Sequence, residues 1–549
     1  MTSALLPQQQ LRWRADNTPD QLYLCQPIDR QWHHWTWGEC YDESLRMAAA
    51  LRRLGLKPGD RVGILSKNCA HWIMADYAII LAGLVSVPIY PTANAETIAH
   101  VLNDSGARYC FVGKLESPET QEEGIPDQVR TIQMPYPAFA CDEQWEQLIT
   151  TNPKDFVPAE NSADDLITLL YTSGTTGYSK GAQHSHANFR FVGTRLGELL
   201  CEKPLERALS YLPLSHCTER AYVEAASLYT NVCLYFSESV ATFMDDLRHA
   251  RPTLFGSVPR LWKVFQIGIL EKIPAQRLDR LLRIPVVKWL IQRKLVKGMG
   301  LDDCRWFASG AAPIAPALME WWQRVGITIT EGWGMTETFA YGTQLPPYGK
   351  PRFGSIGKVL AEADMKATDD GELLIRCPSL MSGYWGEGQL NPDHWQDGYF
   401  RTGDRGHIDK DGYVWITGRV KEAFKTAKGK YIAPVPIESQ LAHDPLIEQA
   451  CVVGSLRKQP LALIYINAAS RPAAAELRQH LQQTLAQVNQ KLEPHERLDR
   501  LIVVADAWTV ENGLLTPTLK MKREVIEKRY ADLIDAEGDA ITFESGSAA

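Results

Sequence analysis

Paired cysteines, long apolar runs and an excess of either charge are all missing from this chain. Its eleven cysteines stand singly between Cys25 and Cys451, with no CxxC pair and no regular spacing. Neither a disulfide framework nor a zinc site is indicated, and a reducing, cytoplasmic setting is expected. The first twenty residues lack the basic start and apolar stretch of a secretory leader. The most apolar segment, Tyr77 to Tyr90, falls short of the ~20 residues of a spanning helix, and it contains Gly83 and Pro88. It reads as a buried helix running into a buried strand. The 58 basic and 65 acidic residues leave a formal charge of -7, which offers no global attraction to nucleic acid. Any anion site must therefore be local.

What is present is the texture of a large globular protein, with 45% hydrophobic and 22% charged residues over 549 positions. That length is several times the ~100 to 150 residues of a common domain, so at least two domains are expected. Short apolar or β-branched runs, Arg61 to Leu65, Leu166 to Tyr171 and Ile327 to Thr330, alternate with longer helical patterns. The alternation predicts an α/β architecture with largely parallel sheets. Glu372 to Arg376 and the glycine-punctuated stretch to Tyr413 predict a smaller β-rich subdomain. Near Lys421 the chain turns charged, then alternates strand and helix signals again, which divides it into residues 1–420 and a C-terminal α+β domain at 421–549. The closing residues, from Glu537, are small and polar and are expected to fray.

The strongest local signal is Tyr171-Thr-Ser-Gly-Thr-Thr-Gly-Tyr-Ser-Lys-Gly181, directly after the apolar run. Gly174 and Gly177 let backbone approach a phosphate, the hydroxyls of Thr172, Ser173, Thr175 and Thr176 supply donors, and Lys180 supplies positive charge. It is not the P-loop of nucleotidases, because Gly181 follows the lysine where that loop has a hydroxyl residue. A plain turn is the alternative reading of such a cluster.

This loop resembles the signature of the adenylate-forming superfamily: acyl-CoA synthetases, luciferases and peptide-synthetase adenylation domains. Further segments in the superfamily's order strengthen the resemblance. Glu331-Gly-Trp-Gly-Met-Thr-Glu-Thr338 is similar to its second signature. There Gly332, Trp333, Gly334 and Met335 would border adenine, Thr336 and Glu337 would be catalytic, and Glu337 would bind Mg²⁺ together with Thr172. Ala308 to Pro313 resembles the backbone wall around the base, at Gly310, Ala311 and Ala312. Asp404 in Tyr399-Phe-Arg-Thr-Gly-Asp would accept the ribose hydroxyls. Arg419 would also touch ribose, and Lys421 would be the interdomain hinge. Leu515 to Arg523 resembles the C-terminal lysine motif, which implies Lys520 as the catalytic lysine, with Lys522 as its competitor. Ser179, Trp333 and Leu519 depart from the commoner proline, tyrosine and glycine, and none of these changes removes a catalytic group.

The resemblance implies ATP-dependent activation of a carboxylic acid as its acyl-AMP, followed by transfer to coenzyme A, under a C-terminal domain that rotates between the two steps. Ser210 to Arg220, with His216 at the acyl pocket, and Phe255 to Trp262 resemble the long-chain fatty acid branch. Three rivals stay open. They are a fatty acyl-AMP ligase that serves a carrier protein, an adenylation domain for amino or aryl acids, and a non-catalytic nucleotide or acyl binder. Residues Arg277 to Lys297 are basic, apolar and tryptophan-bearing. They read either as a membrane-surface segment or as a packed insertion interrupted at Pro285. A homodimer is open by family analogy.

Overall fold

Two sheets, each parallel at its centre, are packed through a shared layer of helices. The computed structural model describes residues 5–136, 138–151, 156–172, 179–201, 205–345, 352–387, 391–467, 471–510, 512–516 and 520–544. Among these residues, the first sheet runs Glu143–Gln144, Arg130–Gln133, Tyr109–Val112, Arg61–Leu65, Val85–Ile89, Leu166–Tyr171, Gly181–Ser185, with only the last pairing antiparallel. The second has a parallel centre of six strands, from Ile329–Trp333 through Trp306–Ser309, Leu254–Ser257, Glu206–Ser210 and Val232–Phe236 to Leu22–Ile28, flanked by antiparallel edges.

The helix Ala70–Leu81 explains why two sheets can share one core. Every one of its residues is buried, and it touches Arg61–Leu65 and Val85–Ile89 of one sheet and Leu22–Ile28 of the other. Buried on all sides and largely apolar, it has no face to offer water. Gly83, at φ +71°, turns the chain into the buried strand Val85–Ile89, as the apolar segment predicts. One boundary differs from expectation. The strand read at Ile327 to Thr330 begins at Ile329 and continues through Trp333, so the second signature is itself the strand end.

The β-rich subdomain is an antiparallel sheet of Asp364–Ala367, Glu372–Arg376, Tyr399–Ile408, Trp395–Gln396 and Val414–Arg419 around Leu373, Ile375, Phe400 and Val414. In the C-terminal region, the strands Gln449–Val453, Leu461–Tyr465 and Leu501–Val504 carry the helix Ala474–Gln490. That helix buries Leu477, Leu481, Leu485 and Val488 at helical spacing. The expectation of a frayed tail is corrected here. Ile541–Phe543 adds a fourth, parallel strand beside Leu501–Val504, because Ile541 fills the core and Arg478 covers the Phe543 ring at 5.1 Å. Among the described residues no helix is long and apolar enough to cross a membrane.

Candidate active site

The strand Leu166–Tyr171 delivers the chain to the glycine-rich loop. Ser173, Gly174, Thr175, Thr176 and Gly177 lie outside the described residues, but both ends of their loop are in place. The Thr172 amide donates to the Lys180 carbonyl at 3.0 Å, and the Lys180 amide donates to Thr172 Oγ1 at 3.4 Å, which closes the neck. The Lys180 ammonium pairs with Glu387 and lies 5.4 Å from the Tyr384 ring centre. Tyr384 donates its hydroxyl to Glu337 Oε1 at 2.5 Å. A row of contacts thus links the loop lysine to the second signature.

That signature is set by close backbone packing. A Cβ on Gly332 would lie 2.4 Å from the Gln344 side chain, and one on Gly334 would lie 2.3 Å from the Ala340 carbonyl. At Gly334 the obstacle is backbone, so that position must be glycine, whereas at Gly332 the Gln344 side chain would have to move aside. Gly310 comes near enough for its missing Cβ to be 3.4 Å from the Gly332 carbonyl, so the Gly310-Ala311-Ala312 backbone stands beside the strand end. Ala311 holds a left-handed φ of +66°. The buried carboxyl of Glu331 supports this loop by accepting the Ile314 amide at 3.2 Å, and burial pushes its pKa up to about 8.

After Trp333 the chain enters a tight turn, Thr336–Thr338, followed by Phe339 and Ala340, both left-handed at φ +53° and +60°. Such conformations cost roughly 1–3 kcal/mol each in non-glycine residues and cluster at functional sites. His184 holds the turn. Burial pulls its pKa down to about 4, so the neutral ring donates from Nε2 to the Thr336 carbonyl at 2.8 Å.

The hairpin of Tyr399–Ile408 and Val414–Arg419 sets Asp404 opposite Arg419 in register. Arg419 Nε meets Asp404 Oδ1 at 2.8 Å, while Trp333 Nε1 donates to Asp404 Oδ2 at 2.9 Å. Burial raises the Asp404 pKa against the opposing pull of Arg419 and Trp333. The indole therefore has a polar role that its expected contact with adenine did not suggest. Gly342 lies against its ring, since a Cβ there would approach Trp333 Cε3 at 2.7 Å.

Lys520 reaches this cluster from the C-terminal region. It stands at the foot of a hairpin whose Thr516 amide donates to the Lys520 carbonyl at 2.8 Å, and its own amide returns to Thr516 Oγ1 at 3.0 Å. Burial and the Arg419 guanidinium pull its ammonium below the usual lysine range, while Asp404, Cys217 and Glu337 pull the other way. Those groups lie within electrostatic reach of its ammonium. The competing Lys522 instead precedes the helix Arg523–Arg529, its amide bound to the Leu514 carbonyl.

His216 caps the short helix Cys217–Glu219, accepting the Thr218 amide at Nδ1, 3.2 Å away. Burial and nearby Lys520 push its pKa down to about 3. The ring is neutral and carries its proton on Nε2. Beside it, the Thr336 hydroxyl lies 3.8 Å from Cys217 Sγ. Beneath, Asn68 bonds Ser210 Oγ and the carbonyl of Leu212 and receives the Leu214 amide, which fixes the segment leading to His216.

Of the residues expected from sequence, Trp333, Thr336, Glu337, Asp404, Arg419, His216 and Lys520 thus converge, and Lys180 joins through Tyr384. Lys421 is exposed in the turn after Val414–Arg419, one residue before Glu422, which Arg523 faces at 3.8 Å. Sequence reasoning missed Tyr384, Cys217, Asn68 and the buried role of Glu331. The Gly383 carbonyl accepting the Gln183 amide delivers Tyr384, and no local pattern announces such a pairing.

Residues 11–385 match the family model of the AMP-binding enzymes, and residues 422–538 match that of the AMP-binding enzyme C-terminal domain. A long-chain-fatty-acid–CoA ligase of Mycobacterium bovis, FadD15, is 32% identical, with 94% of each chain covered. Fatty acyl-CoA synthetase A of Dictyostelium discoideum is 28% identical over 89% of this chain and 83% of its own. Among solved structures, an anthranilate CoA ligase, AuaEII, in complex with anthranoyl-AMP superposes with a TM-score of 0.79 at 21% identity, covering 96% of this chain and 98% of that one. ATP-bound MatB from Rhodopseudomonas palustris gives 0.76 at 22% identity, covering 96% of this chain and all of its own. The chain belongs to the AMP-binding enzyme family.

Proposed function

We propose that this member of the AMP-binding enzyme family is an acid–thiol ligase, which joins a long-chain fatty acid to coenzyme A at the expense of ATP. The observation that carries the reading is the Asp404–Arg419 pair beside Trp333 and Glu337, with buried Lys520 of the C-terminal segment in electrostatic reach of it. The names of the relatives supply the acid class and the thiol acceptor.

In the first step a carboxylate oxygen of the acid attacks the α-phosphorus of ATP, and the bond to pyrophosphate breaks, which yields acyl-AMP. Negative charge collects around that phosphorus, where the Lys520 ammonium, held in a partly water-excluded site, stabilises it. The Gly310, Ala311 and Ala312 backbone beside Gly332 offers a flat slot for adenine. Asp404, oriented by Arg419 and Trp333, presents lone pairs to a ribose diol. Thr172 and Lys180 face the remaining phosphates. Glu337 and Thr172 are hard oxygen donors that suit Mg²⁺, which when bound neutralises phosphate charge. Neutral His216, with its proton on Nε2, stands at the acyl side. In the second step the thiol of coenzyme A attacks the acyl carbonyl and AMP leaves. Lys421 is the hinge between residues 1–420 and 421–549, about which the C-terminal domain withdraws Lys520 and admits the thiol.

The test is pyrophosphate release with ATP, magnesium and acids from acetate to oleate, each with and without coenzyme A, beside Lys520→Ala. Release that peaks with long-chain acids, acyl-CoA formed only with coenzyme A, and a loss of about 10²–10³-fold in the variant are expected. Acyl-AMP that coenzyme A cannot discharge would overturn the acceptor and point to a carrier protein. Absence of release with every acid would overturn the ligase.

A further inference from the structure

The expectation left open for residues 277–297 turns on which face of the segment the protein uses. Helices Ala275–Leu282 and Pro285–Gly298 meet at Pro285, and the second has no buried residue along its whole length. Its inner side is committed: Ile291, Leu295 and Val296 lean on the core around Trp262 and Trp322, and Gln292 donates to the Arg324 carbonyl at 3.0 Å. Its outer side is apolar as well. Ile284, Val286, Trp289 and Leu290 are 53%, 70%, 55% and 53% exposed. Val286, Trp289, Leu290 and Arg293 recur at the spacing of one helical stripe, with the Arg293 guanidinium 5.4 Å from the Trp289 ring. A contiguous apolar stripe on a soluble surface marks an interaction site.

The charge around that stripe says what it meets. Between positions 277 and 297 stand seven basic residues and one acid, Asp279, in a chain whose net charge is -7. Asp279 is itself engaged by Arg324. Lys294 and Lys297 are exposed beside the stripe, with Arg283 at its start and Lys288 exposed elsewhere on the first turn of the helix. Protein interfaces are depleted in lysine and keep charge out of their centres. A tryptophan-bearing apolar face edged by lysine and arginine is instead the composition of a helix lying in the headgroup layer of an anionic bilayer. We propose that this helix pair docks the protein on anionic lipid surfaces, with Trp289 and Leu290 inserted at the headgroup boundary and the flanking cations on lipid phosphates. The proposal rests on surface composition and stands apart from the choice of acid or acceptor.

Co-sedimentation of the full-length protein with vesicles of phosphatidylcholine and phosphatidylglycerol at 3:1, and of phosphatidylcholine alone, tests it. Two variants accompany the wild type, Trp289→Ser/Leu290→Ser and Lys288→Gln/Lys294→Gln/Lys297→Gln. Unchanged pyrophosphate release on octanoate in solution shows that both are folded. The wild type is expected to sediment with the anionic vesicles, and more weakly as salt rises. The lysine variant is expected to bind about 100-fold more weakly at low salt, and the serine variant to remain in the supernatant. Wild-type protein indifferent to both vesicles, or a serine variant that sediments like wild type, would overturn the proposal. So would a wild-type dimer in light scattering that the serine variant abolishes, because the stripe would then belong to a second copy.

Discussion

Two arginines in this molecule each face carboxylates, and their surroundings give them opposite uses. Arg220 is sealed in the core, with Nη1 2.8 Å from Asp76 and 2.9 Å from Glu224, all three fully buried, and with the rings of Trp72 and Phe189 at 5.2 and 5.9 Å. Burial, reinforced by Asp76 against the pull of Arg220, drives the Glu224 pKa well up. Arg419 meets Asp404 at the same 2.8 Å, but its side chain is 44% exposed, and the carboxylate is shared with Trp333 and lies within reach of Lys520. The first pair ties the helix Ala70–Leu81 to the turn of helix at Arg220–Ala225 and has no room for a ligand. The second remains available to exchange partners. Distance alone does not separate a structural ion pair from a binding one, whereas solvent access does.

Removing each arginine is the sharpest way to break this comparison. Arg220→Ala leaves buried carboxyls without their cation and is expected to cost about 3–5 kcal/mol of unfolding free energy in urea titration. A loss below ~1 kcal/mol would place it with the surface pairs instead. On the other side, Trp333→Phe keeps a ring at the proposed nucleotide slot and deletes only the hydrogen bond to Asp404. A rise of about tenfold in KM for ATP, with an unchanged melting curve, is expected from losing a hydrogen bond to a charged group. An unaltered KM would mean that Asp404 needs Arg419 alone.

Glu331 lies between the two regimes, buried like the first and beside the proposed nucleotide slot like the second. Its pKa of about 8 in the fold, like that of Glu219, exceeds the ~4.3 of an unfolded glutamate. Both carboxyls therefore hold protons at pH 7 that the unfolded chain has released, and stability falls as pH rises toward 8. Glu331→Gln should lessen that decline by about 1 kcal/mol over the pH unit, read from urea midpoints at pH 7 and 8. A slope identical to wild type would show that Glu331 is already ionised at pH 7. The smallest effect belongs to Arg419→Ala, with less than ~1 kcal/mol in stability but weaker ATP binding by calorimetry. A large loss of stability would erase the contrast with Arg220.

Much of this site is legible along the chain, because its parts are local. A glycine-rich loop after an apolar strand, a glycine-bracketed tryptophan and a lysine in a turn are each written in a few adjacent residues. The parts that were missed depend on distant pairing. Tyr384 reaches Glu337 because the Gly383 carbonyl binds the Gln183 amide across 200 positions. Asn68 fixes the approach to His216 from a loop of the other sheet. The tail was misread for a related reason: Ile541 and Phe543 look like polar fringe until Leu501–Val504 is there to pair with them.

The sequence by itself determined the α/β alternation, the order of the motifs and the helix break at Pro285, since these follow from periodicity and proline chemistry. Only the tertiary structure decided which charges feel one another. It seals Arg220 and opens Arg419, neutralises His216 and Glu331 at pH 7, sets Lys520 rather than Lys522 among the carboxylates, and leaves Trp289 and Leu290 on the outside. Each of those properties depends on burial and on the distance between residues remote in the chain, and neither quantity exists until the chain has folded.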